Sequence, residues 1–182
     1  MSKLRKTTPL IALEALFALL TACTTQDRPG NGDFEFRPYS STAATAVGGK
    51  AVMFDELDAL EDRPIVLNFW AGNCPPCRAE MPAFEQTWRK YSDEVLFLGV
   101  DVGPYVGLGS YESGRNLIEE LGITYPTGNT PTRQVVTDWE LRSMPSTFFL
   151  NSDGSVHDIT IGAISASRVD AKVQELIAAN GG

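Results

Sequence analysis

Cys74 and Cys77, separated by Pro75-Pro76, are the residues in this sequence whose types and spacing best suit chemistry. Two thiols three positions apart on the first turn of a helix lie within disulfide range, so the pair can pass between dithiol and disulfide. At a helix start the free backbone N–H groups and the helix dipole favour a thiolate, which lowers the pKa of the first cysteine. The two prolines suit that first turn, where N–H groups have no intrahelical acceptor. This reading makes Cys74 the exposed nucleophile and Cys77, one turn deeper, the resolving thiol. Half of a zinc site and a static cross-link are the competing readings. Zinc asks for four ligands, and the chain holds three cysteines and one histidine in all. A static cross-link over so small a loop would stabilise little.

Glu80 follows Cys77 by three residues on the same helix, within reach of the thiols directly or through water. Partial burial would raise its pKa towards neutrality and suit it to accept the proton of the resolving thiol. The plain alternative is a solvated helix carboxylate. His157, the one histidine, falls in a hairpin strand and is assigned no chemistry.

The elements around the motif follow from hydrophobic patterning. Residues 65–70 and 95–100 are apolar runs that suit strands covered on both faces, as in a parallel sheet. Met81, Phe84, Trp88 and Tyr91 between them line one helical face, which completes a strand–helix–strand unit. A helix is expected over about residues 112–121, stopped by Gly122. Thr130-Pro131 reads as N-cap and first helical position of another, ending near Trp139. Residues 146–151 and 155–161 read as strands joined by an Asn-Ser-Asp-Gly turn. Val169, Val173, Leu176 and Ile177 stripe a final helix that ends before Gly181. Residues 40–50, polar and small, read as a loop between two short strands. The result is one α/β domain over residues 33–182.

Three ordered segments carry a resemblance: Asn68-Phe69-Trp70-Ala71 before the cysteines, Glu80-Met81-Pro82 after them, and Met144-Pro145-Ser146-Thr147-Phe148-Phe149 near the end. Together they resemble the thioredoxin fold, and within it the TlpA/ResA-like branch of envelope thiol-disulfide oxidoreductases. The resemblance covers about residues 33–180. It implies a thioredoxin-like fold with an N-terminal strand extension and an insertion after the second core strand. It places Pro145 at the position of a cis-proline beside the CxxC, and Met144 where the backbone pairs with a substrate strand. Pro82 matches a proline that kinks the active-site helix. Glu80 matches a glutamate that tunes the cysteine pKa values. Thioredoxins keep an acid where this chain has Asn68, which does not titrate. Asn73 stands where the branch commonly has Trp, which shifts recognition towards residues 102–130. Tyr105, Tyr111 and Tyr125 there offer a docking patch, with at least one expected in the core.

The resemblance further implies a reductase of protein disulfides, as in cytochrome c maturation, with no cofactor beyond the Cys74–Cys77 disulfide itself. A transmembrane thiol carrier of the CcdA/DsbD-like kind would be its reductant, and exported proteins such as apocytochrome c its substrates. An oxidase or isomerase would use the same two cysteines, since direction depends on potential and partner. A copper-delivering or other non-catalytic lipoprotein is the reading from a different class; relatives of that kind want wider cysteine spacing and a partnering His. A monomer is expected.

The third cysteine belongs to the N-terminus. Lys3, Arg5 and Lys6 precede an apolar stretch over residues 9–20, shorter than the roughly 20 apolar residues a spanning helix needs. Leu20-Thr21-Ala22-Cys23 resembles a bacterial lipobox, which implies cleavage after residue 22 and a lipid anchor on Cys23. Residues 1–22 then form a signal peptide. Residues 23–32 form a flexible tether that holds the domain on the extracytoplasmic face of a cell-envelope membrane. Removing three cations and one anion takes the net charge from −8 to −10, which argues against a nucleic-acid partner.

Overall fold

The computed structural model describes residues 32–57 and 63–181. The signal peptide, Cys23 and nearly all of the tether therefore lie outside the described residues. Its centre is the expected strand–helix–strand unit: β3 (Ile65–Trp70), α2 (Pro75–Tyr91) and β4 (Leu96–Asp101), with β3 and β4 parallel in register Ile65↔Leu96 to Trp70↔Asp101. Every residue of both strands is buried, which accounts for their unbroken apolar runs.

The sheet has seven strands in the order β2-β1-β5-β4-β3-β6-β7. The remaining strands are β1 (Glu35–Pro38), β2 (Val52–Met53), β5 (Thr127–Asn129), β6 (Ser146–Leu150) and β7 (Val156–Ile161). β6 runs antiparallel to β3 and carries β7 on its far side. The β6–β7 turn closes on Gly154 at φ 80°, with its N–H donating to the Asn151 carbonyl.

Between β1 and β2, residues 40–50 are not the plain loop their composition suggests. Ser40 accepts the Ala43 N–H at 3.0 Å and caps a short helix, α1 (Ser41–Ala46). Six residues of Ser, Thr and Ala carry too little apolar periodicity to announce it. After β4 the chain forms α3 (Gly103–Val106) and α4 (Tyr111–Leu121), then returns to the sheet as β5. α4 starts in a Ser110/Ser113 capping box and stops at Gly122, φ 62°. The helix expected from Thr130 starts later, as α5 (Gln134–Asp138). The Thr130 carbonyl instead accepts from the Tyr111 and Tyr105 hydroxyls, which holds this residue in the chain leaving β5. α6 (Ala166–Asn180) closes the domain.

Strand alternation divides the core. Leu67, Phe69 and Phe148 face one side with Phe34, Phe54 and Trp139. There Trp139 packs edge-on against Phe148 and Phe54, with centroids 4.9 and 5.7 Å away. Val66 and Trp70 face the other side with Phe97, under Met81 and Phe84 of α2, Leu117 of α4, and Val169, Val173 and Leu176 of α6. The cysteines belong to this second side.

Candidate active site

Cys74 is the N-cap of α2, Pro75 and Pro76 open the helix, and Cys77 lies on its first turn. The two sulfurs are joined, with S–S 2.09 Å and Cα atoms 5.3 Å apart. The Cys77 N–H donates to Cys74 Sγ at 3.3 Å, so one of the helix's unpaired N-terminal donors points at the first sulfur. Asn73, Pro75 and Pro76 are exposed around the disulfide. The cysteines are not: Cys74 is 3% and Cys77 0% exposed. The expected exposure of Cys74 is therefore corrected. Cys74 is bonded to the buried Cys77 and packs with it in the α2-covered core, and the Asn73–Leu108 contact holds the loop before it. Here the Asn73 N–H donates to the Leu108 carbonyl at 2.9 Å.

That loop is held by close backbone approach. A Cβ on Gly72 would lie 2.5 Å from Gly114 N and 2.6 Å from the Ser113 carbonyl carbon, so only glycine lets the loop rest on α4. Behind it, Asp101 at the end of β4 accepts from the Tyr39 hydroxyl at 2.7 Å and from the Gly103 N–H at 2.8 Å. Burial pushes the Asp101 carboxyl up to about 6, against the pull of those two donors.

Glu80 is 2% exposed, one turn below Cys77 on the face of α2 that meets the sheet. Its Oε1 accepts from Asn68 Nδ2 at 2.9 Å and its Oε2 from the Ile164 N–H at 3.0 Å. Asn68 Nδ2 also donates to Thr147 Oγ1 at 2.9 Å. Burial raises the Glu80 pKa to about 7, partly offset by the two hydrogen bonds. A carboxylate with that pKa beside a thiol is suited to exchange a proton near neutrality.

The row beneath it is polar across the sheet. Asn68 pairs with Thr147 on one side and Gly99 on the other, and Gly99 pairs with Thr127. A Cβ on Gly99 would come within 3.1 Å of Trp70 Nε1 and of the Tyr125 ring. Asn68 Oδ1, Trp70 Nε1 and the Tyr125 hydroxyl are the buried side-chain polar atoms, among the described residues, that have no hydrogen-bond partner. Strand alternation and core packing put all three on the side of the sheet that α2 covers.

Met144 and Pro145 are joined by a cis peptide bond. Met144 is half-buried and packs against the same cluster as Cys74 and Cys77. The Pro145 carbonyl accepts the Gly162 N–H at 2.8 Å. Next to Gly162, Ile161 is 59% exposed and, with Ala163, Ile164 and Arg168, lines an open groove of about 420 Å³. Pro82 lies inside α2, which continues past it to Tyr91. The three tyrosines do not form one patch. Tyr125 is buried at 2% exposure, while Tyr105 and Tyr111 bond each other at 2.8 Å and share the Thr130 carbonyl. His157 is exposed on β7.

Sequence patterning alone misses Glu85. Burial works to raise its pKa, but donors from Thr124, Arg89 and Tyr125 hold it below the usual carboxylate range. It accepts from the Thr124 N–H and hydroxyl at 2.7 and 2.5 Å, and so ties α2 to the segment entering β5. Its spacing of four before Arg89, a surface-pair pattern, disguised it.

A CxxC disulfide at the start of a helix that follows a buried parallel strand, with a cis Met144–Pro145 bond whose methionine packs in the same cluster, defines a thioredoxin-like fold with a redox-type dithiol site. The chain belongs to the AhpC/TSA family, whose profile matches residues 40–159. It is 27% identical over 121 residues to the thiol-disulfide oxidoreductase ResA of Oceanobacillus iheyensis, a match covering 66% of this chain and 61% of that protein. This chain thus spans about three fifths of that relative's length. Its fold is that of StoA from Bacillus subtilis, at TM-score 0.60 and 19% identity, covering 78% of this chain and 96% of that one. A thiol:disulfide interchange protein of the thioredoxin family from Chlorobium tepidum TLS aligns at TM-score 0.61 and 20% identity, covering 84% and 97%.

Proposed function

We propose that this protein is a thiol-disulfide oxidoreductase of the cell envelope that reduces disulfides in exported proteins through Cys74 and Cys77. The observation that carries the reading is the Cys74–Cys77 disulfide at the N-terminus of α2 with buried Glu80 one turn behind it. In the dithiol form Cys74 attacks a substrate disulfide, aided by the helix N-terminus and the Cys77 N–H aimed at its sulfur. Cys77 then attacks Cys74 Sγ, the mixed disulfide breaks, and the substrate leaves as a thiol. Glu80 takes the proton from Cys77. The substrate strand lies along Met144 and Pro145, and exposed Ile161 offers it an apolar contact. A transmembrane thiol carrier of the CcdA/DsbD-like kind restores the dithiol, and apocytochrome c is the substrate class this reading favours. A lipid on Cys23 holds the domain at the membrane. Among the described residues no helix is long and apolar enough to cross one.

Trapping tests this reading. In Cys77→Ala the mixed disulfide cannot be resolved, so Cys74 should be recovered covalently bound to its partner. An apocytochrome or another exported protein awaiting reduction is the expected adduct. A broad set of newly exported proteins destined to keep their disulfides would instead assign the site to oxidation. No adduct, with metal in the purified wild type, would overturn both.

A further inference from the structure

Asn68 stands between Glu80 and Thr147, with Nδ2 donating to both at 2.9 Å while its Oδ1 is buried without a partner. A carboxamide has nearly the same shape after a half-turn that exchanges its oxygen and nitrogen. What changes is the sign of the hydrogen bond. Ionised Glu80 only accepts, so it needs Nδ2 facing it. Once protonated it must also donate. The proton belongs on Oε1, because Oε2 already faces the fixed backbone N–H of Ile164. Nδ2 cannot accept that donor, but Oδ1 in its place can. The Thr147 hydroxyl is donor and acceptor at once and rotates to suit either orientation. Each orientation makes two bonds and leaves one amide atom unpaired at the same position. The bond count is therefore conserved when Glu80 gains a proton. Leu, which lacks donor and acceptor, does not have this property, and Asp could donate to ionised Glu80 only by holding a proton of its own.

We propose that Asn68 is a positioning residue whose carboxamide turns over when Glu80 takes up a proton, so that the buried carboxyl keeps a matched partner in both of its states. The use of this turnover rests on the dithiol reading above. The Cys77 thiol gives its proton to Glu80 Oε1 and its sulfur bonds to Cys74 Sγ. The Cys74–substrate S–S bond breaks, and its electron pair leaves on the substrate sulfur. The dithiol is oxidised by two electrons, the substrate disulfide is reduced, and the proton stays on Glu80 against Asn68 Oδ1. The other titratable groups near Glu80 are Cys77 on its own helix and the Tyr125 hydroxyl from the segment before β5. Burial drives the Tyr125 pKa far up, so it stays neutral. Among the described residues the groups bonded to Glu80 are the Asn68 amide and the Ile164 N–H, neither of which titrates.

Side-chain amide NMR on the oxidised, isotopically labelled full domain tests this, following nuclear Overhauser contacts from the Asn68 Nδ2 hydrogens to Thr147 at about pH 5 and about pH 9. The expected result is strong contacts at high pH that fall severalfold at low pH, with the same midpoint as the Glu80 carboxyl carbon. In Glu80→Gln the contacts should be the same at both pH values. Contacts unchanged while Glu80 titrates, a Glu80 that does not titrate in this range, or a pH-dependent change that survives in Glu80→Gln would each overturn the proposal. The two readings fail separately. A turning amide in a protein whose Cys77→Ala form traps nothing refutes only the enzymatic reading. A fixed amide in a protein that traps a partner refutes only this one.

Discussion

Replacing Glu80 with Gln isolates what burying that acid does to the domain. In the unfolded chain the carboxyl releases its proton near its ordinary value of 4.5, whereas in the fold it holds the proton to about 7. At about 1.4 kcal/mol per pH unit this gap is worth about 3 kcal/mol. The sign follows from proton counting. Between the two values the folded state binds more protons than the unfolded state, so stability falls as pH rises. The contribution is fully present below about 4.5 and is lost by about 7. The substituted glutamine cannot titrate, and it offers an oxygen to the Ile164 N–H and an amide to Asn68, so it carries only a pH-independent offset. Urea denaturation of the oxidised protein, wild type against Glu80→Gln, reads the difference at about half-unit steps from about pH 4 to about pH 8.5. The variant should gain about 3 kcal/mol on the wild type across that window, with no change in m. Parallel profiles, or a wild type that gains on the variant as pH rises, would refute the assignment of Glu80 as a buried acid with a raised pKa.

Other perturbations act on the supports of the site. Tyr39→Phe removes a donor from the buried Asp101 carboxylate while keeping the ring that packs edge-on against Trp70. It should cost about 1.5–3 kcal/mol near pH 8 and less near pH 5, where Asp101 is protonated, read by the same denaturation series. Gly72→Ala drives a methyl into the backbone of Ser113 and Gly114, which cannot give way as a side chain would. A loss of about 1–3 kcal/mol is expected in thermal melts, with slower reduction of a model disulfide as the cysteine loop shifts. Glu85→Ala strands the Thr124 N–H, the Thr124 hydroxyl and the Tyr125 N–H. Destabilisation of about 2–3 kcal/mol should follow, with faster hydrogen exchange at the Thr124 and Tyr125 amides than in wild type.

Where a segment's own pattern decides its structure, it was legible from the residues. β3 and β4 are apolar throughout because both faces are covered, and α2 shows its stripe because one face meets them. β5 gave no such sign. It is three residues, Thr-Gly-Asn, and its glycine is there because a Cβ on Gly128 would overlap the backbone of Arg37 in β1. A strand defined by close approach to a distant partner carries no local periodicity. α1 is similar, held by the Ser40 cap and not by an apolar stripe. At the site, the cysteine spacing named the redox pair and Glu80 stood out by its offset from Cys77. The Asn68–Glu80–Thr147 contact, with Asn68 and Thr147 79 positions apart, depends on strand register and could not be read along the chain. Nor could the burial of Cys74, since an N-cap position is exposed in an isolated helix, whereas here it packs in the cluster that holds Trp70, Cys77 and Met144.

The placement of acid and amide also explains why the acid sits on the helix. Both positions face one narrow space between β3 and α2, closed by Thr147 and the Ile164 N–H. That space tolerates at most one charge, since a second carboxylate would add like-charge repulsion to a desolvation already strong enough to bring Glu80 to about 7. With the acid on α2, Glu80 and Cys77 belong to one helix, and their separation does not depend on how the helix rides on the sheet. The amide is left on β3, the element fixed on both sides by β4 and β6. There it is held between two strands, and the proposed turnover asks of it only a rotation about its own bond. On the two readings proposed above, a titrating group fixed relative to the thiol and a neutral group able to match either of its states would divide the work of a buried proton acceptor between helix and sheet.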